Sequence, residues 1–96
     1  MLEIKIADSA KLDLVEIGQY TEYQWGEKQR DKYLRDIDSC LYSLAEEPEL
    51  GRGRSELRAG CHSYSVGKHV IFYAYNTEAL YILAVLHERM DFERHL

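Results

Sequence analysis

The chain has 96 residues, 46% hydrophobic and 30% charged, with a single Pro and a formal net charge of −5. That length allows one domain, and folding at this size hides roughly 60–70% of the surface of the unfolded chain. The composition excludes a disordered chain, and the longest strongly apolar run, Ala79 to Leu86, is too short to span a bilayer. No basic-then-apolar leader opens the chain, and the two Cys fit neither a disulfide framework nor a zinc pattern, so a reduced, cytoplasmic protein is expected.

Charge is uneven. Residues 1–50 hold six Lys/Arg against twelve Asp/Glu, whereas residues 51–96 hold six against five and all four His. An acidic total argues against nucleic-acid binding built on phosphate contacts, although Arg52, Arg54 and Arg58 leave room for a local basic patch.

In chain order, Leu2 to Ala7 alternates as a short strand. Asp8 or Ser9 can cap a helix, and Asp13 suits the positive end of its dipole. The apolar stripe Ala10, Leu14, Ile17, Thr21, Trp25 predicts a helix over 9–25, ended by Gly26 in the left-handed conformation. A second helix over 27–45 has the stripe Tyr33, Leu34, Ile37, Cys40, Leu41, Leu44, an Asp31–Arg35 pair outside, and Pro48 beyond its end. The short link makes the two an antiparallel hairpin. Residues 46–57 read as a loop. The period then changes to two, giving strands over 58–66, 69–75 and 79–87 on tight turns, an antiparallel meander. Residues 88–96 form a tail. The fold class is α+β, in the order β-α-α-β-β-β: a short N-terminal strand and an antiparallel helical hairpin packed on a small antiparallel sheet.

By parity, the last two strands are apolar on both faces. One face carries Val70, Phe72, Ala74, Leu80, Ile82, Ala84 and Leu86; the other carries His69, Ile71, Tyr73, Tyr75, Tyr81, Leu83, Val85 and His87. One hairpin covers one face. The second is therefore expected to lie open as a partner-binding surface of Ile71, Tyr73, Tyr75, Tyr81, Leu83, Val85 and His87, edged by Arg52, Arg54 and Arg58. The tail folding back through Met90, Phe92 and Leu96, or a second copy of the chain, is the competing cover.

Other chemistry is thin. His62, His69, His87 and His95 lack metal-ligand spacing, so no metal and no cofactor is expected. Cys40 lies on the buried stripe and Cys61 has no basic neighbour fixed by sequence. Gly51-Arg52-Gly53-Arg54 is not followed by the Lys-Ser/Thr of a phosphate loop.

Several segments carry a family resemblance. Ser9-Ala10-Lys11-Leu12-Asp13-Leu14 opens the first helix, and Tyr20 with Trp25-Gly26 closes it. Leu44-Ala45-Glu46-Glu47-Pro48 with Gly51 ends the second. Leu57-Arg58-Ala59-Gly60, Gly67-Lys68-His69-Val70-Ile71-Phe72-Tyr73 and Val85-Leu86-His87-Glu88-Arg89-Met90-Asp91 follow. In order and spacing the chain resembles the ParE-type toxins of the RelE/ParE superfamily. The resemblance implies a toxin of a type II toxin–antitoxin module that poisons DNA gyrase by binding it. It implies neutralisation by a ParD-like antitoxin, a ribbon-helix-helix protein whose C-terminal segment wraps the toxin in a hetero-oligomer and which alone touches operator DNA. It also implies an alternative, since the RelE branch cleaves messenger RNA with Lys/Arg around the open sheet face and a Tyr or His near the C-terminus. Arg58, His87 and Arg89 are the residues available here for that chemistry. The expectation is a non-enzymatic toxin.

Overall fold

A computed structural model describes residues 1–96. Strand β1 (Glu3–Ile6) leads into α1 (Asp8–Trp25) and α2 (Glu27–Glu46). A 3-10 turn at Pro48–Leu50 follows, then β2 (Arg52–Gly53), β3 (His62–Val66), β4 (His69–Tyr75), β5 (Ala79–His87) and a single helical turn, α3 (Phe92–His95). The α+β class and the hairpin stand as expected, and no helix is long and apolar enough to cross a membrane.

The five strands run in the order β1-β5-β4-β3-β2. The meander is antiparallel throughout, whereas β1 pairs parallel to β5, Ile4 opposite Leu80 and Ile6 opposite Ile82. The expected strand over 58–66 is shorter: it starts at His62, and a separate two-residue strand, Arg52–Gly53, pairs with its first residues. Residues 54–61 instead close on themselves through Arg58 N–H to the Arg54 carbonyl and Cys61 N–H to the Arg58 carbonyl.

Helix α1 begins without a side-chain cap. Ala7 holds the cap position. Ser9 donates to the Leu83 carbonyl (3.3 Å), and Asp13 accepts the Val85 N–H (3.0 Å), so both tie the helix to β5. Gly26 takes φ +91°, which a Cβ would oppose, and its N–H satisfies the Glu22 carbonyl. Trp25 leaves the expected stripe and is 72% exposed, because the buried row drifts through Ile17, Gly18 and Thr21. Asp31 pairs with Arg30 rather than Arg35, and Lys32 pairs with Asp36.

The sheet separates two clusters. Under the hairpin, Ile37, Leu41 and Leu44 pack with Ile71, Tyr73, Leu80, Ile82 and Val85. On the far side, Cys61, Val70, Phe72, Ala84 and Leu86 pack with Leu57, Leu83, Phe92 and Leu96. A register shift explains why β5 does not keep its parity. Phe72 faces Ala84 but Tyr73 faces Ile82, leaving Leu83 as the extra residue. A bulge of this kind turns every side chain beyond it to the other face. Val85 therefore points under the hairpin, and Ala84 and Leu86 away from it.

The expected open apolar face is thus corrected. Ile71, Tyr73 and Val85 are interior residues beneath the hairpin, and the far face is covered from within the chain. Phe92 meets Phe72 edge-on, and the Arg54 guanidinium lies 5.8 Å from the Phe72 ring centre and 5.6 Å from that of Phe92. Arg54 also pairs with Glu56 (2.8 Å), and that bond holds the Glu56 carboxyl below its ordinary pKa. The loop and the tail seal the face by setting a cation beside two rings that already touch each other.

Candidate partner-binding surface

The apolar surface that remains open lies on the hairpin. The stripe of α1 faces the sheet, yet Leu12 and Val15 sit beside it and are 65% and 55% exposed. Between the two helices, beside Ile6 at the end of β1, lies a groove of about 580 Å³. Its apolar walls are Ile6, Leu14, Val15, Leu34, Ile37 and Leu41. Asp31, Arg35 and Asp38 of α2 line it as well, so an apolar floor meets a charged margin with two acids and one base. An open apolar strip with a polar rim is the anatomy of a protein-binding patch. The one local sign of this groove in the sequence is Val15, an apolar residue beside Leu14 and off the stripe of α1.

The residues proposed from sequence scatter. Tyr75 and Tyr81 are 36% and 37% exposed, and Arg52 and Arg58 are exposed. Leu83 is half-buried against the far cluster. Tyr73 is fully buried: its hydroxyl donates to the Pro48 carbonyl (2.6 Å) and accepts the Gly51 N–H (2.9 Å), and burial raises its pKa. Arg54 is held in its stack.

Of the set named for RNA cleavage, the fold places His87 and Arg89 together, the Arg89 N–H bonding His87 Nδ1 at 3.2 Å, and leaves Arg58 apart. His87 stands opposite His69 at one end of β4, while Arg58 lies in the turn before His62, which stands opposite Tyr73. Those ends are about 13 Å apart at ~3.3 Å per residue. The sheet face beside Arg58 presents Val70, Phe72, Ala84 and Leu86, covered by the tail.

His87 belongs to a different cluster, which the sequence reading missed because its members come from α2, β4 and β5. The Tyr33 hydroxyl is 2.6 Å from His69 Nδ1 and 3.1 Å from the Val66 carbonyl, and it accepts the Lys68 N–H at 3.2 Å. The His69 and His87 rings stand edge to face with centres 5.3 Å apart. Burial, then the neighbouring His87, pushes the His69 pKa down. Burial pushes the Tyr33 pKa up, opposed by the Lys68 N–H. The two cysteines are free: burial raises both thiols above their ordinary pKa, Cys61 doing so against the pull of Arg58 and Arg54. His62 stacks on Tyr73 and Tyr75, well away from the imidazole pair.

Comparisons with known proteins agree with this architecture. Residues 4–92 match the family described as the ParE toxin of the type II toxin–antitoxin system parDE. Toxin ParE1 of Caulobacter vibrioides is 34% identical over 96 residues, covering 100% of this chain and 99% of its own length. Toxin ParE1 of Mycobacterium tuberculosis is 35% identical over 92 residues, covering 95% and 94%. Among solved structures, a chain of the chromosomal ParDE system from P. aeruginosa superposes with a TM-score of 0.78 at 19% identity, covering 91% of this chain and 96% of that one. A chain of the RelBE2 complex from Mycobacterium tuberculosis superposes with a TM-score of 0.65 at 22% identity, covering 90% and 96%. The chain belongs to the ParE toxin family of type II toxin–antitoxin systems.

Proposed function

We propose that this toxin acts by binding rather than by bond cleavage, with DNA gyrase as its target and a ParD-like antitoxin as its neutralising partner. The observation that carries the reading is the groove between α1 and α2: an apolar trough about 580 Å³ in volume, open at the surface of a chain whose own sheet faces are covered. An amphipathic helical segment is the shape that fills such a trough, with apolar side chains at i, i+3 and i+4 on the floor. A basic residue of that segment would meet Asp31 or Asp38 at the margin.

Two experiments test it. Purified gyrase should lose supercoiling activity when the toxin is added at micromolar excess; undiminished activity overturns the target. Val15→Glu places a charge on an exposed wall of the groove without disturbing the core, so it should abolish neutralisation by the antitoxin while leaving growth arrest intact. Retained neutralisation moves the antitoxin elsewhere. The RNA-cleavage alternative rests on the likeness to a RelBE toxin fold. It predicts new 5′ ends by primer extension on RNA from expressing cells, and growth arrest without such ends removes it.

A further inference from the structure

Beyond that reading, the hairpin tip and the end of the sheet enclose a second recess, which the groove does not share. Its volume is about 280 Å³. Tyr20, Trp25 and Tyr33 supply aromatic rings to it, and Lys68, His69 and His87 supply polar groups. Trp25 is 72% exposed and Tyr20 is 63% exposed, so both rings are open to a ligand.

The hydrogen bonds set the tautomer of His87, whose Nδ1 accepts the Arg89 N–H at 3.2 Å. The neutral ring therefore keeps its proton on Nε2. His69 Nδ1 faces the Tyr33 hydroxyl at 2.6 Å, and that hydroxyl also lies 3.1 Å from the Val66 carbonyl and takes the Lys68 N–H. The Lys68 ammonium is 78% exposed and only loosely paired with Glu88, at 3.9 Å. Lys68 and His87 thus line the same recess as the Tyr20 and Trp25 rings.

We propose that this recess binds a nucleoside phosphate, its base stacked on Trp25 and Tyr20 and its phosphate held by Lys68 and the Nε2 donor of His87. The same chemistry is offered by a free nucleotide and by one nucleotide of a single strand. Stacking accepts any base, so the site is blind to sequence. The α1 carboxylate Asp13 is occupied by the Val85 N–H, which leaves Glu16 on α1 and Glu88 after β5 as acids that oppose a phosphate.

Trp25 is the only tryptophan, so its fluorescence reports the site directly. The full chain is titrated with AMP, adenosine, inorganic phosphate, a short single-stranded oligonucleotide and an acidic peptide. Saturable quenching by AMP is expected, with adenosine and inorganic phosphate each binding more weakly. Lys68→Ala and His87→Ala should each weaken it about tenfold, and Glu16→Gln should strengthen it. Thermal melts confirm that the variants are folded, and Lys68→Ala alone, at an exposed position, suffices if His87→Ala is not. Comparable binding of AMP and the oligonucleotide identifies a free nucleotide, and much tighter binding of the oligonucleotide identifies a strand. No saturation by about 10 mM AMP, quenching unchanged by Lys68→Ala, or equal binding of the acidic peptide overturns the proposal.

Discussion

The ring of Phe92 stands against the ring of Phe72 at 62°, their centres 4.8 Å apart, and this one contact joins the C-terminal turn to the middle of the sheet. It replaces what would otherwise be exposed apolar surface on the side away from the hairpin. Phe92 is only half-buried, so Phe92→Ala is expected to cost about 1–2 kcal/mol rather than the 3–5 of a fully buried ring. Urea unfolding measures this. The same variant should bind a hydrophobic dye in its folded state, because Phe72 loses its cover. An unchanged midpoint and no dye binding would show that the tail contributes nothing to the cluster.

Tyr73 works on the opposite side of the sheet. Its hydroxyl satisfies both the Pro48 carbonyl and the Gly51 N–H, and so fastens the end of the helical hairpin to β4. Tyr73→Phe keeps the ring and removes both bonds. The expected loss is about 1–3 kcal/mol, the range for leaving buried polar groups unpaired. Amide exchange should localise the effect to residues 48–53, with β5 unaffected.

Gly67 turns β3 into β4 at φ +56°, and the Tyr33 ring lies over it, so that an added Cβ would come within 2.6 Å of the ring. Gly67→Ala combines backbone strain with a clash and should destabilise by more than about 1 kcal/mol. Tyr33→Ala relieves the clash and leaves the strain. A double-mutant cycle is therefore expected to be non-additive, the second substitution costing less in the Gly67→Ala background.

His69 gives a pH signature. Its pKa is lowered in the folded chain from the ordinary 6.5, by burial first and by His87 second. The unfolded state therefore binds a proton more readily than the folded state as pH falls through 6.5. Its contribution is present above that pH and is lost progressively below it. Melting temperature should fall between pH 7.5 and 5.5, and His69→Gln should flatten that part of the profile. A profile identical to the parent's would remove His69 as its source.

Much of the architecture was legible in the order of residues. The hairpin followed from two runs of period near 3.6 separated by Gly26, and the meander from β-branched and aromatic alternation broken at Gly67-Lys68 and Asn76-Thr77-Glu78. These are local properties: each depends on residues within a turn or two, which is the range over which periodicity and turn chemistry act. The groove left one local sign only, Val15 off the stripe of α1.

What escaped was long-range. Parallel pairing of β1 with β5 joins residues more than seventy positions apart and leaves no local mark. Parity told which side chains share a face, but one extra residue at Leu83 inverted the faces beyond it and moved Val85 into the core. Trp25 continued a helical stripe on paper, yet the buried row of α1 drifts through Ile17, Gly18 and Thr21, so the ring is 72% exposed. The linear order determined the elements and their turns. Only the packed structure decided which face was covered, because covering depends on where distant pieces, Phe92 and Arg54 among them, have room to land.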